Sequence, residues 1–293
     1  MASINRVAVI GSSGQLGSDV TEVLSQSPSY QVTPFSREQL DVTDRQKVKE
    51  VLAQNFDVVV NCGAFTRVDD CEEQPDKALL VNAQGAFEIA QACRQTGALC
   101  VFVSTDYVFD GEKGTPYVES DPVGPVNVYG ASKLAGEFLV KQTAERWLIL
   151  RIASVFGKTG SRGKGGNFIE TILSKAHSGG PVPVINDVWM SPTYTMDVAH
   201  ALSELIRLGA TGIYHASNTG RCTWYEFARE AIRLVGLNAK VEPVPSTLYP
   251  TKARRPRDSS LDNSLIWKTL NQPIRSWQEA LRAYLIEKGH LKA

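Results

Sequence analysis

The sequence predicts an α/β protein: a doubly wound parallel sheet with a smaller C-terminal α/β lobe. Three observations predict it. Over the first half of the 293 residues, short apolar runs alternate with helix-length segments. The runs are continuous in Val, Ile and Leu rather than alternating with polar residues, as suits a parallel sheet covered on both faces. The first of them passes directly into a glycine-rich turn and then a helix. A strand–helix–strand rhythm of this kind implies right-handed crossovers.

Taken in order, residues 6–10 read as a buried strand and 15–25 as a helix. Residues 31–35 form the second strand and 45–54 a helix; 57–61 form the third strand and 76–96 a long helix. Residues 99–104 make the fourth strand, 132–142 a helix and 147–151 the fifth strand. The second half is richer in Gly, Pro and Arg, and its elements are shorter. Residues 157–166, dense in glycine and basic side chains, read as a mobile loop. Residues 195–208 read as a helix and 212–216 as a short strand. Residues 223–235 form an amphipathic helix, with Thr223 and Glu226 spaced as a capping box, and 276–287 a terminal helix. The implied division gives 1–156 to one domain, with 193–218 returning to it, and leaves 157–192 and 219–293 to the lobe.

Bulk properties exclude several function classes. The 31 Lys and Arg balance the 31 Asp and Glu, which argues against a nucleic-acid or anionic-membrane binder. No apolar run is long enough to span a bilayer, and the N-terminus lacks a signal-peptide layout. The cysteines at 62, 71, 93, 100 and 222 are odd in number and include no Cys-x-x-Cys pair. Reduced thiols in a cytoplasmic protein are therefore expected.

The run Val7-Ala-Val-Ile-Gly11-Ser-Ser-Gly14-Gln-Leu-Gly17 follows a strand and opens a helix, the context that makes such a loop a dinucleotide site. Gly11 permits the tight turn, Gly14 lets backbone amides reach a pyrophosphate, and Gly17 lets the helix pack closely. The helix N-terminus favours the anionic phosphates. The second strand ends Phe35-Ser36-Arg37, without the acid that commonly accepts from a ribose 2′-hydroxyl. A hydroxyl followed by the Arg37 cation suits a 2′-phosphate better. NADPH is thus expected, with NADH as the alternative.

Proton chemistry is signalled by Tyr129 and Lys133 in Val128-Tyr-Gly-Ala-Ser-Lys-Leu-Ala-Gly-Glu137. Four residues apart on a helix, they share a face. A nearby ammonium, with the oxidised nicotinamide, would favour the phenolate and make the tyrosine acidic. In the reductive direction the tyrosine would instead donate to a developing alkoxide. Ser104-Thr105-Asp106 ends the fourth strand, where open α/β sheets place ligand groups. The Thr105 hydroxyl can donate to the same carbonyl oxygen, and Ser104 is expected to line the cofactor.

With these motifs in place, the chain resembles the Rossmann-like extended short-chain dehydrogenase/reductases, and within them the dTDP-4-dehydrorhamnose reductase family. Further matching stretches are Leu40-Asp-Val-Thr-Asp44, Val60-Asn-Cys-Gly-Ala-Phe-Thr-Arg-Val-Asp69, Ser104-Thr-Asp-Tyr-Val-Phe-Asp-Gly111, Pro125-Val-Asn-Val-Tyr-Gly130 and Arg255-Pro-Arg-Asp-Ser259. The resemblance implies reduction of the 4-keto group of a dTDP-hexose with NAD(P)H. It implies Tyr129 as proton donor, Lys133 on the nicotinamide ribose and Thr105 on the substrate carbonyl, with Asp106 against the sugar. Gly14, Gln15 and Leu16 would lie over the pyrophosphate, Asp41 and Val42 beside the adenine, and Cys62, Gly63 and Ala64 along the cofactor. Asn167 and Arg257 would bind the nucleoside diphosphate.

The chain departs from the family pattern at Ser154, in the 186–193 run that holds Trp189, and near Gln15. Ser154 stands where the family has a Trp facing the sugar, and Trp189 is a candidate replacement wall. The acidic residue that some relatives use for magnesium has no match near Gln15, so no metal is expected. A monomer or homodimer is expected. One alternative is a non-catalytic NADP-binding subunit resembling the regulatory subunit of methionine adenosyltransferase; the intact trio weighs against it. A nucleotide-sugar dehydratase or epimerase is the other, but dehydratases follow the strand-end Thr with two acids, and here Tyr107 follows Asp106.

Overall fold

The structure, a computed structural model, describes residues 5–160 and 166–292. In the first half β1 (Asn5–Ile10) leads to α1 (Gln15–Gln26), β2 (Tyr30–Phe35) to α2 (Arg45–Leu52), and β3 (Val58–Asn61) to a run of helices. That run comprises α3 (Val68–Glu73), α4 (Pro75–Leu79), a π-helical segment Leu80–Gln84 and α5 (Gly85–Thr96). β4 (Leu99–Thr105) ends in a 3-10 turn, Asp106–Val108, before α6 (Val128–Thr143) and β5 (Trp147–Ile152).

In the second half β6 (Val155–Phe156), α7 (Phe168–His177), β7 (Val182–Ile185), β8 (Trp189–Met190) and β9 (Thr193–Tyr194) come first. α8 (Thr195–Arg207) and β10 (Gly212–His215) follow. β11 (Cys222–Thr223), α9 (Trp224–Val235), β12 (Val241–Val244), α10 (Ser264–Leu270) and α11 (Trp277–Glu287) complete it.

Six parallel strands make the central sheet, in the order β10-β5-β4-β3-β1-β2. The strand order reverses beside β1, which lies between β2 and β3. A crevice at that point is where such sheets bind ligands. Every residue of β3 and β4 is buried, as continuous apolar strands require. One face is covered by α1 and α8, with Val20, Leu24, Leu202 and Leu205 in its core. The other is covered by α2, α5 and α6, with Val48, Ile89 and Val140. A third core, around Phe156, Phe227 and Tyr284, joins α7, α9 and α11 to the small strands.

The predicted sheet and its alternating helices are present; α7 and α10 are additional to the expected helices, and three further points differ. The helix expected over 132–142 begins at Val128, because Asn127 caps it by accepting from the Gly130 amide at 2.8 Å. The long helix expected over 76–96 passes through the π segment, so its register shifts by a residue midway. The parallel pair β7 and β12 was not anticipated; Pro183 stands opposite Glu242 and Pro243 opposite Val184 in it, and proline argues against a central strand. A two-stranded sheet has only edges, so both prolines are tolerated. Of the loop expected over 157–166, residues 161–165 lie outside the described residues. Among the described residues, no helix is long and apolar enough to cross a membrane.

Candidate active site

Helix α6 carries Tyr129 and Lys133 on one face, one turn apart. Its first turn lies hard against the 3-10 turn after β4: a Cβ at Gly130 would collide with the Tyr107 carbonyl oxygen. The close approach leaves the Tyr107 and Tyr129 rings edge to face, with centroids 6.0 Å apart. Lys133 is buried at 2 % exposure, and its ammonium lies 3.9 Å from the centre of the Phe102 ring on β4. Tyr129 is half-buried.

Burial governs both titrations. It pushes the Tyr129 phenol well above its usual value, and the Asp106 carboxylate adds to this. The Thr105 hydroxyl, within hydrogen-bonding reach of the phenol, acts in the opposite sense. Burial also brings the Lys133 amine down to about 7, opposed by Glu137 one turn further along the helix. The expectation joined Lys133 with the oxidised nicotinamide; Lys133 alone does not make the tyrosine acidic. In the free protein desolvation outweighs that influence, and the phenol stays protonated. A protonated phenol is the form a proton donor needs.

At the end of β4, Thr105 donates to Asp106 at 3.0 Å and accepts from the Tyr107 amide at 3.2 Å. The other Asp106 oxygen accepts from Ser259 at 2.5 Å. Asp106 is thus buried and held at both oxygens. The same carboxylate fixes the hydroxyl beside the phenol and ties it to the 255–259 stretch.

The opposite wall is the glycine loop. Gly11 has φ +75°, and a Cβ there would lie 2.9 Å from the Gly63 nitrogen. At Gly17 a Cβ would collide with the Gly11 carbonyl. Gly14 caps α1 without a side chain, so its first-turn amides have no side-chain cap. Leu16 anchors the helix in the core beneath. The Gln15 Nε2 and Ser104 Oγ atoms are buried, with no hydrogen-bond partner among the described residues. Orphaned polar atoms beside an uncapped helix N-terminus fit a bound dinucleotide.

The strip Cys62-Gly63-Ala64 after β3 faces this loop. Gly63 donates to Asn61 at 3.0 Å, and the Phe65 amide donates to Asn82 at 2.8 Å. Asn82 lies in the π segment and also donates to Ser132 at 2.9 Å, and Ser132 donates to the Tyr129 carbonyl at 2.8 Å. One buried amide therefore fastens the strip after β3 to the first turns of α6. Asn82 and Ser132 had escaped notice in the sequence. Val42 packs against Gly63 and Gly85. Arg37, 73 % exposed, is paired with Asp41 at 3.1 Å, and Asp41 also accepts from the Thr43 amide and hydroxyl. The cation expected at the ribose is thus on a surface ion pair, the kind that contributes little.

On the far side Arg257 is exposed, and its guanidinium makes no ion pair among the described residues. Its carbonyl accepts from the Trp189 amide at 2.8 Å. Trp189 is 36 % exposed, with the Arg221 guanidinium 4.9 Å from its ring centre, so it is no buried core residue. Asn167 differs from expectation. Its oxygen caps α7 by accepting from the Glu170 amide at 3.1 Å, and its nitrogen donates to Tyr284 at 2.8 Å. Both ends of the amide serve the lobe's own architecture. Ser154 adopts φ +41°, a left-handed conformation uncommon outside glycine.

A reversed strand order with a glycine loop at the switch point, and a Tyr-x-x-x-Lys helix beside a strand-end Thr, define an extended short-chain dehydrogenase/reductase. The chain belongs to the family described as RmlD substrate binding domain, which matches residues 5–289. It is 39 % identical over 287 residues to spore coat polysaccharide biosynthesis protein SpsK of Bacillus subtilis, covering 98 % of this chain and 99 % of that protein. It is 40 % identical over 285 residues to dTDP-4-dehydrorhamnose reductase of Streptomyces griseus, covering 94 % and 91 %. Among solved structures, dTDP-4-dehydrorhamnose reductase from Bacillus anthracis in complex with NADP superposes with a TM-score of 0.90 at 34 % identity, covering 97 % of this chain and 99 % of that one.

Proposed function

We propose that the protein reduces the 4-keto group of a dTDP-activated deoxyhexose with NADPH, and that dTDP-4-dehydrorhamnose is its substrate. The observation that carries this reading is the shared face of Tyr129 and Lys133 beside Thr105, in a chain similar throughout to reductases of that name. Bound NADPH supplies the hydride. Gly11, Gly14, Gln15, Leu16 and Gly17 hold the pyrophosphate; Arg37, Asp41 and Val42 lie at the adenosine end. Cys62, Gly63, Ala64 and Ser104 line the way to the nicotinamide, whose ribose Lys133 orients.

The Thr105 hydroxyl, whose single proton goes to Asp106 in the free protein, would turn that proton to the keto oxygen and fix it near Tyr129. As charge develops on that oxygen, the phenol gives up its proton to it, and a hydroxyl results. The interaction strengthens where charge appears, so it lowers the barrier rather than merely binding substrate. Burial, which keeps the phenol protonated, supports this role. Asp106 acts through Thr105, and its held oxygens favour positioning over contact with the sugar. Arg257 and Trp189 belong to the nucleotide-sugar side, and Asn167 supports that wall as a helix cap. Residues 1–156 with 193–218 would form the cofactor half, and 157–192 with 219–293 the sugar half. A cytoplasmic location and a monomeric or homodimeric state belong to the same reading.

The test is NADPH oxidation by the purified protein with dTDP-4-dehydrorhamnose, with the product identified by mass spectrometry. Stoichiometric formation of the 4-hydroxy sugar is expected. Tight NADPH binding without turnover of any dTDP-4-keto sugar would refute the reading and favour a regulatory subunit.

A further inference from the structure

Glu137 closes the stretch of α6 that begins with Tyr129 and Lys133, and no step of the reduction uses it. It lies four residues beyond Lys133, so the two side chains share a helix face. Its carboxylate is gripped from β5 by Arg151, whose Nε donates at 2.9 Å and Nη2 at 2.8 Å, one to each oxygen. Both side chains are 3 % exposed. As a stabiliser such a pair has little to offer, because desolvation offsets most of the attraction. Its place beside Lys133 supplies another reason for it.

The surroundings of Lys133 contain few charges. From its own helix it is faced by Tyr129, whose phenol is neutral, and by Glu137. From the end of β3 comes the Cys62 thiol, which burial pushes up to about 12 and so keeps neutral. From β4 comes the Phe102 ring. A Cβ at Gly136 would collide with the Asn82 carbonyl and crowd Phe102, so the helix is pressed onto that ring and Lys133 cannot swing out through it. Beyond Arg151, β10 contributes His215, which is buried and neutral, and Glu119 accepts from the His215 amide at 2.9 Å. The Phe109 ring lies 5.1 Å from the guanidinium. The carboxylate on the Lys133 side of this group is that of Glu137.

We infer that Glu137, fixed by Arg151, is a positioning residue that holds the Lys133 side chain in its ammonium form inside an apolar seat. The lysine then keeps a substantial ammonium fraction, about half at neutral pH, with which to meet the cofactor ribose. The consequence for catalysis rests on the reductase reading; the charge state itself does not.

The experiment follows the Cε resonance of isotopically labelled lysine in the full-length protein against pH, with Lys133→Met identifying the signal. The wild-type midpoint is expected near 7. Glu137→Gln keeps the shape and removes the charge, and should lower the midpoint by about one pH unit or more. Should that variant fail to fold, Glu137→Met combined with Arg151→Met replaces the pair with apolar chains, an exchange buried pairs commonly tolerate. It should move the midpoint the same way but less far, since a cation leaves too. An unmoved midpoint in either folded variant means that the pair only staples α6 to β5, and overturns the inference. A lowered midpoint in a protein that reduces no keto sugar would sustain the inference and sink the reductase reading.

Discussion

The Ser259 hydroxyl donates to the Asp106 carboxylate across 2.5 Å, joining the end of β4 to a loop 153 residues further along the chain. The same carboxylate accepts from Thr105, so the 255–259 loop and the hydroxyl beside the Tyr129 phenol are set by one group. Ser259→Ala should leave a buried carboxylate one partner short, a loss of about 1–3 kcal/mol. The expected result is a lower melting temperature, a raised KM for the sugar nucleotide and recovery in Ser259→Thr. Unchanged melting and kinetics would show that the bond ties nothing together.

Tyr129→Phe keeps the ring against Tyr107 and removes the proton. General acid catalysis is typically worth about 10²–10⁴-fold, and turnover should fall by that order. NADPH affinity, read by fluorescence titration, should change little. A variant that turns over at the wild-type rate would remove Tyr129 from the mechanism.

NADPH should be preferred over NADH. Arg37 is mostly exposed and needs only to exchange Asp41 for a 2′-phosphate. A hydrogen bond to a charged group is worth about 1.5–3 kcal/mol, so Arg37→Ala should weaken NADPH by roughly ten- to a hundredfold and NADH hardly at all. Equal losses for both cofactors would contradict this.

Acid should destabilise the protein through His215. Burial brings this imidazole down from 6.5 to about 3, while Nδ1 lies 3.0 Å from the Tyr117 carbonyl and 3.1 Å from that of Asp262. Between those two pH values the unfolded chain takes up a proton that the native protein refuses. Stability therefore falls as pH drops from about 6.5 toward about 3. His215→Leu should be less stable at pH 7 yet show a flatter decline in urea melts over that window. Parallel slopes for the two proteins would rule the imidazole out. The half-buried Glu119 and buried Asp19 carboxyls, held above their usual range, act in the opposite sense and are common to both proteins.

The strands and the Tyr129–Lys133 face were legible because each is a local pattern: an apolar run, a spacing of four. The Gly11–Gly17 loop was legible because its neighbours on both sides were. Glu137 was not, since an acid on a helix ordinarily reads as solvated, and its partner Arg151 sits on a strand that contacts it only in three dimensions. Asn82 stayed hidden for a similar reason. The π turn that aims it is fixed by packing of α6, and no residue type marks it. Asn167 stands just before a helix that had not been anticipated, so its cap could not be recognised and only the family role remained.

The sheet's last strand has a consequence for how this chain reaches its native state. β5 receives its outer neighbour β10 only from residues 212–215, and α1 receives its covering helix α8 only from 195–207. During synthesis the first half emerges with an open strand edge and a bare apolar face, and stays so until more than forty further residues have been added, counting from the end of β5 at Ile152 to Thr195. At roughly 5–20 residues per second that interval lasts seconds, and an unpaired edge is the surface most prone to wrong association. Arrest of translation ahead of residue 195 should therefore yield a nascent chain that binds chaperones and aggregates, and release past residue 215 should abolish both.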